Sequence, residues 1–277
     1  MIAATKPPPR LPPAPPLRRQ PPAQVGAKAA KQFIAAVPEA KNAFRVCIYG
    51  TGGIGKSSLA MSAPDPVKFI DLDDSLGVLV PMDGVQVVRG VETWQDLMDA
   101  LRQDDLWSGA KSIVIDTATK AEELCVAHVL EKNHVASIEL VDGGFGKGYK
   151  IVFETYLALF AELERHNRAG RNTIMIAHDK IEKKPNPAGQ DFIRFSPRLQ
   201  DVNNGSVSHK LKEWSDHLLF IGYDFAEAVK DKKSIGVNTR TIHPVEQPHF
   251  VAKSRSLRDP IPYEEGSVAL WEALFKK

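Results

Sequence analysis

The chain has 277 residues, 43% of them hydrophobic and 25% charged, with a net charge of +2, the balance of a globular protein with room for one large domain. Only two cysteines, Cys47 and Cys125, are present, which excludes a disulfide framework and fits a reducing, cytoplasmic setting. No apolar run approaches the roughly 18 residues of a membrane span, and the N-terminus lacks the apolar stretch of a signal peptide, so no membrane contact is expected.

Residues 1–42 read as a disordered, basic, proline-rich tail. Nine prolines fall before residue 26, and the first 38 residues hold six bases and no acid. Such a segment has little to bury and favours polyproline II. Its role is a solvated arm or a ligand for a partner groove. A short helix is expected over 27–37, ending at Pro38. The remainder is net negative, so the body is no broadly basic nucleic-acid binder, and such contacts must come from local patches or the tail.

Residues 43–277 read as an α/β domain with a mainly parallel sheet. A strand over 44–49 leads into Gly50-Thr51-Gly52-Gly53-Ile54-Gly55-Lys56-Ser57, and a helix follows from about Lys56 through Ser58. That is a phosphate-loop pattern in its strand–loop–helix context. The glycines let backbone N–H groups turn toward phosphate oxygens. Lys56 would reach the β- and γ-phosphates, Ser57 would ligate Mg²⁺, and the expected ligand is a nucleoside triphosphate. Gly50 to Ser58 are the expected nucleotide contacts.

A strand over 67–72 ends in Asp71-Leu72-Asp73. Alternation would put both carboxylates on one face. Asp73 is the stronger candidate for the base that activates water; the alternative for both is a turn or helix cap. A short strand is expected over 85–89 and a helix over 93–101, with Trp94, Leu97, Met98 and Leu101 on one face. The apolar strand 112–116 ends in Asp116, the carboxylate a phosphate-loop enzyme needs beside its Mg²⁺. A helix follows over 121–132.

The segment 142–150 (Asp-Gly-Gly-Phe-Gly-Lys-Gly-Tyr-Lys) is a second glycine-rich loop, where Lys147 and Tyr149 are candidate nucleic-acid contacts beside Phe145 and Lys150; a helix-entry turn is the alternative. A helix over 151–166 leads to a strand over 172–177, ending at His178. On a strand next to the phosphate loop, His178 can hydrogen-bond the γ-phosphate. The polar stretch 179–209 follows, with Lys183, Lys184, Arg194 and Arg198 interleaved with Phe192 and Phe195. That composition suits single-stranded nucleic acid. It reads as a long functional loop, with a β-hairpin around 185–190 as the alternative. Strands over 217–222, 237–243 and 250–253 form an antiparallel extension at the far edge of the sheet, and a helix closes the chain over 267–275. Lys253 and Arg255 lie on one side of an extended segment and can act as fingers on a neighbouring subunit's nucleotide. His243 and His249 are separated by two prolines and read as loop rather than as a metal site.

Taken in order, the phosphate loop, Asp71-Leu-Asp73, Ile-Asp116-Thr, Gly-Lys-Gly-Tyr149, His178, Ile-Arg-Phe-Ser-Pro197 and Ala-Lys-Ser-Arg255 resemble the RecA-like ATP-binding proteins of bacteriophages, the Sak-four type of single-strand annealing recombinase. The likeness covers residues 43–262. It implies a minimal RecA-like core, ATP and Mg²⁺ as cofactors, DNA-binding loops at 142–150 and 179–208, and Lys253 and Arg255 as trans-acting fingers. It further implies single-stranded DNA as partner, self-assembly as a ring or filament, a phage single-strand-binding protein as a second partner, and the bacterial host's cytoplasm as the setting. RecA-type enzymes usually carry glutamate where Asp73 stands, which implies slow hydrolysis. Three other readings are a RecA-like motor or loader in phage replication, a small-molecule kinase with 179–208 as its lid, and a nucleotide-switched adaptor.

Overall fold

The computed structural model describes residues 42–79, 81–186, 189–203, 205–225 and 236–276. The proline-rich tail and the helix expected over 27–37 lie outside the described residues.

The strands are Arg45–Gly50 (β1), Val67–Asp71 (β2), Val85–Val88 (β3), Ser112–Asp116 (β4), Asn172–Lys184 (β5), Phe192–Pro197 (β6), His217–Phe225 (β7), Gly236–His243 (β8), Lys253–Ser254 (β9) and Ile261–Tyr263 (β10). The helices are Lys56–Met61 (α1), Trp94–Arg102 (α2), Ala118–Asn133 (α3), Lys147–Arg168 (α4), Val207–Trp214 (α5) and Ala269–Phe275 (α6). The sheet runs β10-β8-β7-β1-β5-β4-β2-β3, with β6 paired to β5 and β9 to β7. From β7 across to β3 all pairings are parallel; β7–β8, β8–β10, β5–β6 and β7–β9 are antiparallel.

Period-two alternation sorts the central strands into two cores. Cys47, Tyr49, Ile113, Ile115, Met175 and Ala177 face the side covered by α2 to α5. Val46, Ile48, Val114, Ile174 and Ile176 face α1 and α6, where Leu59, Trp271 and Leu274 pack. Helices on both faces are why these strands read as unbroken apolar runs rather than as alternating ones. The α2 helix starts with a capping box, Thr93 and Asp96 bonding each other's backbone N–H, which fixes the start its sequence predicts.

Four expectations change. The stretch 179–209 is no free loop: β5 runs on to Lys184 and turns back as β6, and Ser206 caps α5. Much of a kinase lid is thereby absorbed into a hairpin and a helix. Helix α4 begins at Lys147, so the glycine-rich segment supplies its first turn. The late strands do not start at a far edge, because β7 lies directly beside β1 and parallel to it. The strand expected over 250–253 reduces to Lys253–Ser254, while the unexpected β10 pairs with β8. Polar, charged sequences gave β5's extension and α5 their loop-like appearance. Short strands fixed by long-range pairing leave no periodic signal.

Candidate functional site

The site forms where β1 and β4 end, beside His178 midway along β5. Parallel pairing sets Asp71 level with Asp116, and Gly50 level with His178. Strand β5 lies between the phosphate-loop strand and the strand that ends in Asp116.

Lys56 is only 6% exposed. Its Nζ donates to the carbonyls of Gly50 (2.9 Å) and Thr51 (2.8 Å), folding the side chain across its own loop. Burial draws its pKa below the usual lysine value, opposed by the charges of Asp116, Asp179 and Asp73. Gly52 and Gly53 have nothing within 4 Å of an added Cβ, so that part of the loop is open.

Ser57 Oγ donates to Asp116 Oδ2 at 2.6 Å. Asp116 is 2% exposed, and burial lifts its carboxyl pKa to about 6 despite that hydrogen bond. A hydroxyl and a desolvated carboxylate at one point are the oxygen donors a divalent cation takes. The residues present therefore fit Mg²⁺, which Ser57 and Asp116 would hold.

The carboxylate that ends β2 and the one two residues beyond it have different jobs. Asp71 accepts from the N–H groups of Ser75 (3.1 Å) and Leu76 (2.9 Å), which ties down the following turn. Asp73 instead accepts from Thr117 Oγ1 at 2.9 Å and lies 3.7 Å from His178 Nε2. Burial, with Lys56 and Arg198 nearby, lowers the His178 pKa, so the imidazole is neutral at pH 7 and one ring nitrogen can donate. The His178 N–H donates to Thr119 Oγ1 (3.2 Å), and its carbonyl accepts from the Arg198 N–H (2.8 Å). Asp73, Asp116 and His178 are thus gathered around Lys56, with Thr117 as an orienting group that sequence reasoning left without a role.

Other expected residues lie elsewhere. Ser58 donates to Glu265 at 3.3 Å. Lys253 Nζ donates to the carbonyls of Lys212 (2.7 Å), Glu213 (3.2 Å) and Ser215 (2.8 Å), closing the end of α5. Arg255 is exposed and pairs with Asp216 at 3.2 Å. Both sit beside the start of β7, the end of the sheet away from the phosphate loop.

The hairpin's bases are paired with acids. Lys183 meets Asp191 (3.1 Å), Lys184 meets Glu182 (2.5 Å), and Arg194 meets Glu246. Arg198 is exposed at the hairpin's base. Such surface pairs contribute little, so their exchange for phosphate is cheap. Ile181 and Ile193 are 64% and 60% exposed, and the register sets Ile193 opposite Lys183. In the glycine-rich segment, Lys147 pairs with Asp142 (3.3 Å), and Tyr149 donates to Glu139 (3.0 Å). Phe145 is fully exposed at 100%.

Gln200, also missed, joins these parts. Its N–H donates to both carboxylate oxygens of Glu122 on α3 (2.8 and 3.0 Å), and its Nε2 donates to the carbonyls of Tyr149 (2.9 Å) and Gly205 (2.6 Å). Burial raises the Glu122 pKa to about 7. Two further missed residues, Arg240 and Tyr263, contact the phosphate loop from 186 and 208 residues away in sequence, beyond the reach of any local pattern.

A family model described as an AAA domain matches residues 42–256. No curated protein matches the chain. Among solved structures, a KaiC-like protein from the hyperthermophilic archaeon Pyrococcus horikoshii OT3 is similar at 14% identity and a TM-score of 0.41, covering 80% of this chain and 86% of that one.

Proposed function

The chain belongs to the AAA-domain family, and from that premise we propose that it is an ATP-hydrolysing, single-stranded-DNA-binding protein of phage recombination or strand annealing. Its body is an α/β P-loop NTPase with a RecA-like core, a mainly parallel sheet and an antiparallel C-terminal extension. Among the described residues, no helix is long and apolar enough to cross a membrane.

The observation that carries the reading is the course of β5. One strand passes His178, level with Gly50, and continues without a break into the hairpin that holds Lys183 and Lys184. In this reading His178 senses the γ-phosphate, and a change there is passed along a rigid element to the DNA-facing hairpin. Phe145, fully exposed beside Lys147, supplies a face for base stacking.

The chemistry follows from the site's own groups. Lys56 exchanges its loop carbonyls for the β- and γ-phosphates. Mg²⁺, when bound at Ser57 and Asp116, neutralises phosphate charge. Asp73, oriented by Thr117, accepts the proton of the attacking water. Its short side chain reaches less far than glutamate, so turnover is slow. The protein assembles with itself as a ring or filament, ATP lies at the subunit interface, and Arg255 reaches a neighbour's phosphates. Lys253 joins it only by giving up the carbonyls that end α5. A phage single-strand-binding protein is the expected partner.

The test is fluorescence anisotropy of a labelled single strand with the full chain, with and without ATP. Tighter binding with ATP, weakened by Phe145→Ala, is expected. Absence of binding in both states overturns the reading.

A further inference from the structure

We infer that Arg240 and Tyr263 are positioning residues for the phosphate loop, holding its last two peptides from behind. The inference rests on reading Gly50–Ser57 as a nucleotide site, and it gives the C-terminal strands a part in that site.

Arg240 on β8 and Tyr263 on β10 are direct cross-strand partners. The guanidinium lies 4.7 Å from the tyrosine ring centroid, a cation–π contact that holds both side chains in place. Arg240 Nη1 donates to the Ile54 carbonyl at 2.9 Å, and Tyr263 OH donates to the Gly55 carbonyl at 2.9 Å. A trans peptide is planar, with its C=O and N–H pointing opposite ways. Holding the Ile54 carbonyl, and the Gly55 carbonyl together with the Leu59 N–H of α1 (2.9 Å), therefore turns the N–H groups of Gly55 and Lys56 to the other side. There they are free to meet phosphate oxygens.

Gly55 fits the same account. Its φ is +101°, and an added Cβ would lie 2.7 Å from the Tyr263 ring and hydroxyl and 2.9 Å from Arg240. The loop's rear must be bare for this pair to reach the backbone. Gly52 and Gly53, by contrast, have nothing within 4 Å. The loop is thus clamped at 54–55 and open at 52–53. The same C-terminal region holds the helix that follows, with Trp271 Nε1 donating to the Leu59 carbonyl at 3.0 Å. A loop ordered beforehand loses less conformational freedom when it binds.

The test uses the full chain with Mg²⁺ and a fluorescent ATP analogue for affinity, ATP turnover for KM and kcat, and thermal unfolding. Arg240→Ala is expected to weaken nucleotide binding about tenfold and to raise KM by a similar factor, with a smaller change in kcat. Arg240→Lys should recover part of the loss, because an ammonium can still donate to Ile54. Tyr263→Phe removes one oxygen and should weaken binding roughly threefold with Tm lowered by less than about 3 °C. Wild-type affinity in both Arg240→Ala and Tyr263→Phe overturns the inference. So does a loss that follows Tm alone and is not rescued by lysine. No DNA enters these measurements, so a failure of DNA binding would sink the proposed function and not this clamp.

Discussion

Strand β5 passes through two environments, and its halves obey different rules. In the inner half, Ile174, Met175, Ile176 and Ala177 are fully buried, pressed between helices on both faces. In the outer half, Lys180, Glu182 and Lys184 line one face, and Ile181 stands 64% exposed on the other. Packing dictates the inner residues; the outer ones are set by charge pairing and by whatever the hairpin meets. His178 sits at the junction, where one strand turns from scaffold into surface. A site built there can pair rigid geometry with an exposed reporter.

The largest effect expected at the junction separates Asp73 from Asp71. Asp73→Asn should lower kcat by about 10²- to 10⁴-fold with Tm nearly unchanged, because in the proposed mechanism it removes the proton acceptor. Asp71→Asn should instead lower Tm and spare most turnover, because this carboxylate ties a turn. Steady-state ATPase assays beside thermal unfolding decide between them. An equal loss of turnover in both would erase the distinction.

Denaturant unfolding tests the strand's two halves directly. Ile176→Ala in the inner half should cost about 2–5 kcal/mol. Ile181→Ala in the outer half should stay within about 0.5 kcal/mol of the wild type. A large cost at Ile181 would mean that the hairpin is packed rather than displayed.

Glu122 gives a pH test of the link behind the hairpin. Burial raises its folded pKa to about 7, above the usual 4.5. The folded state then keeps its proton where the unfolded state has lost it. Its stability contribution is complete below about pH 4.5 and is lost as pH rises through about 7, a fall on the order of 1–3 kcal/mol. Glu122→Gln should flatten that part of the stability–pH curve. An unchanged slope would show that the carboxyl titrates normally.

The smallest expected effect is at Phe145. Phe145→Ala should leave stability within about 0.5 kcal/mol while weakening single-strand binding by about 1–3 kcal/mol. Calorimetry and anisotropy read the two quantities separately.

What was legible in the sequence follows the same division. The positions of Gly50–Ser57 and Asp116 at strand ends, and of His178 on the strand between them, are legible because the buried strands declare themselves by apolar runs. The sheet's centre and its helices follow from that. The hairpin was legible only as an alternative, because alternating charges look the same in a loop and in an exposed strand. Arg240, Tyr263 and Gln200 left no signal, since each acts through a backbone carbonyl or N–H made adjacent only by folding. Lys253 shows the converse: a residue type chosen for phosphate chemistry is engaged with the carbonyls that end α5.

In the proposed function, nucleotide state and the hairpin communicate through β5. ATP turnover by the full chain, with and without single-stranded DNA, tests it most directly. Slow basal turnover should rise when DNA is added, and the rise should be lost when Lys183 and Lys184 are both changed to alanine. Identical turnover with and without DNA, in a protein that retains no DNA, would contradict it.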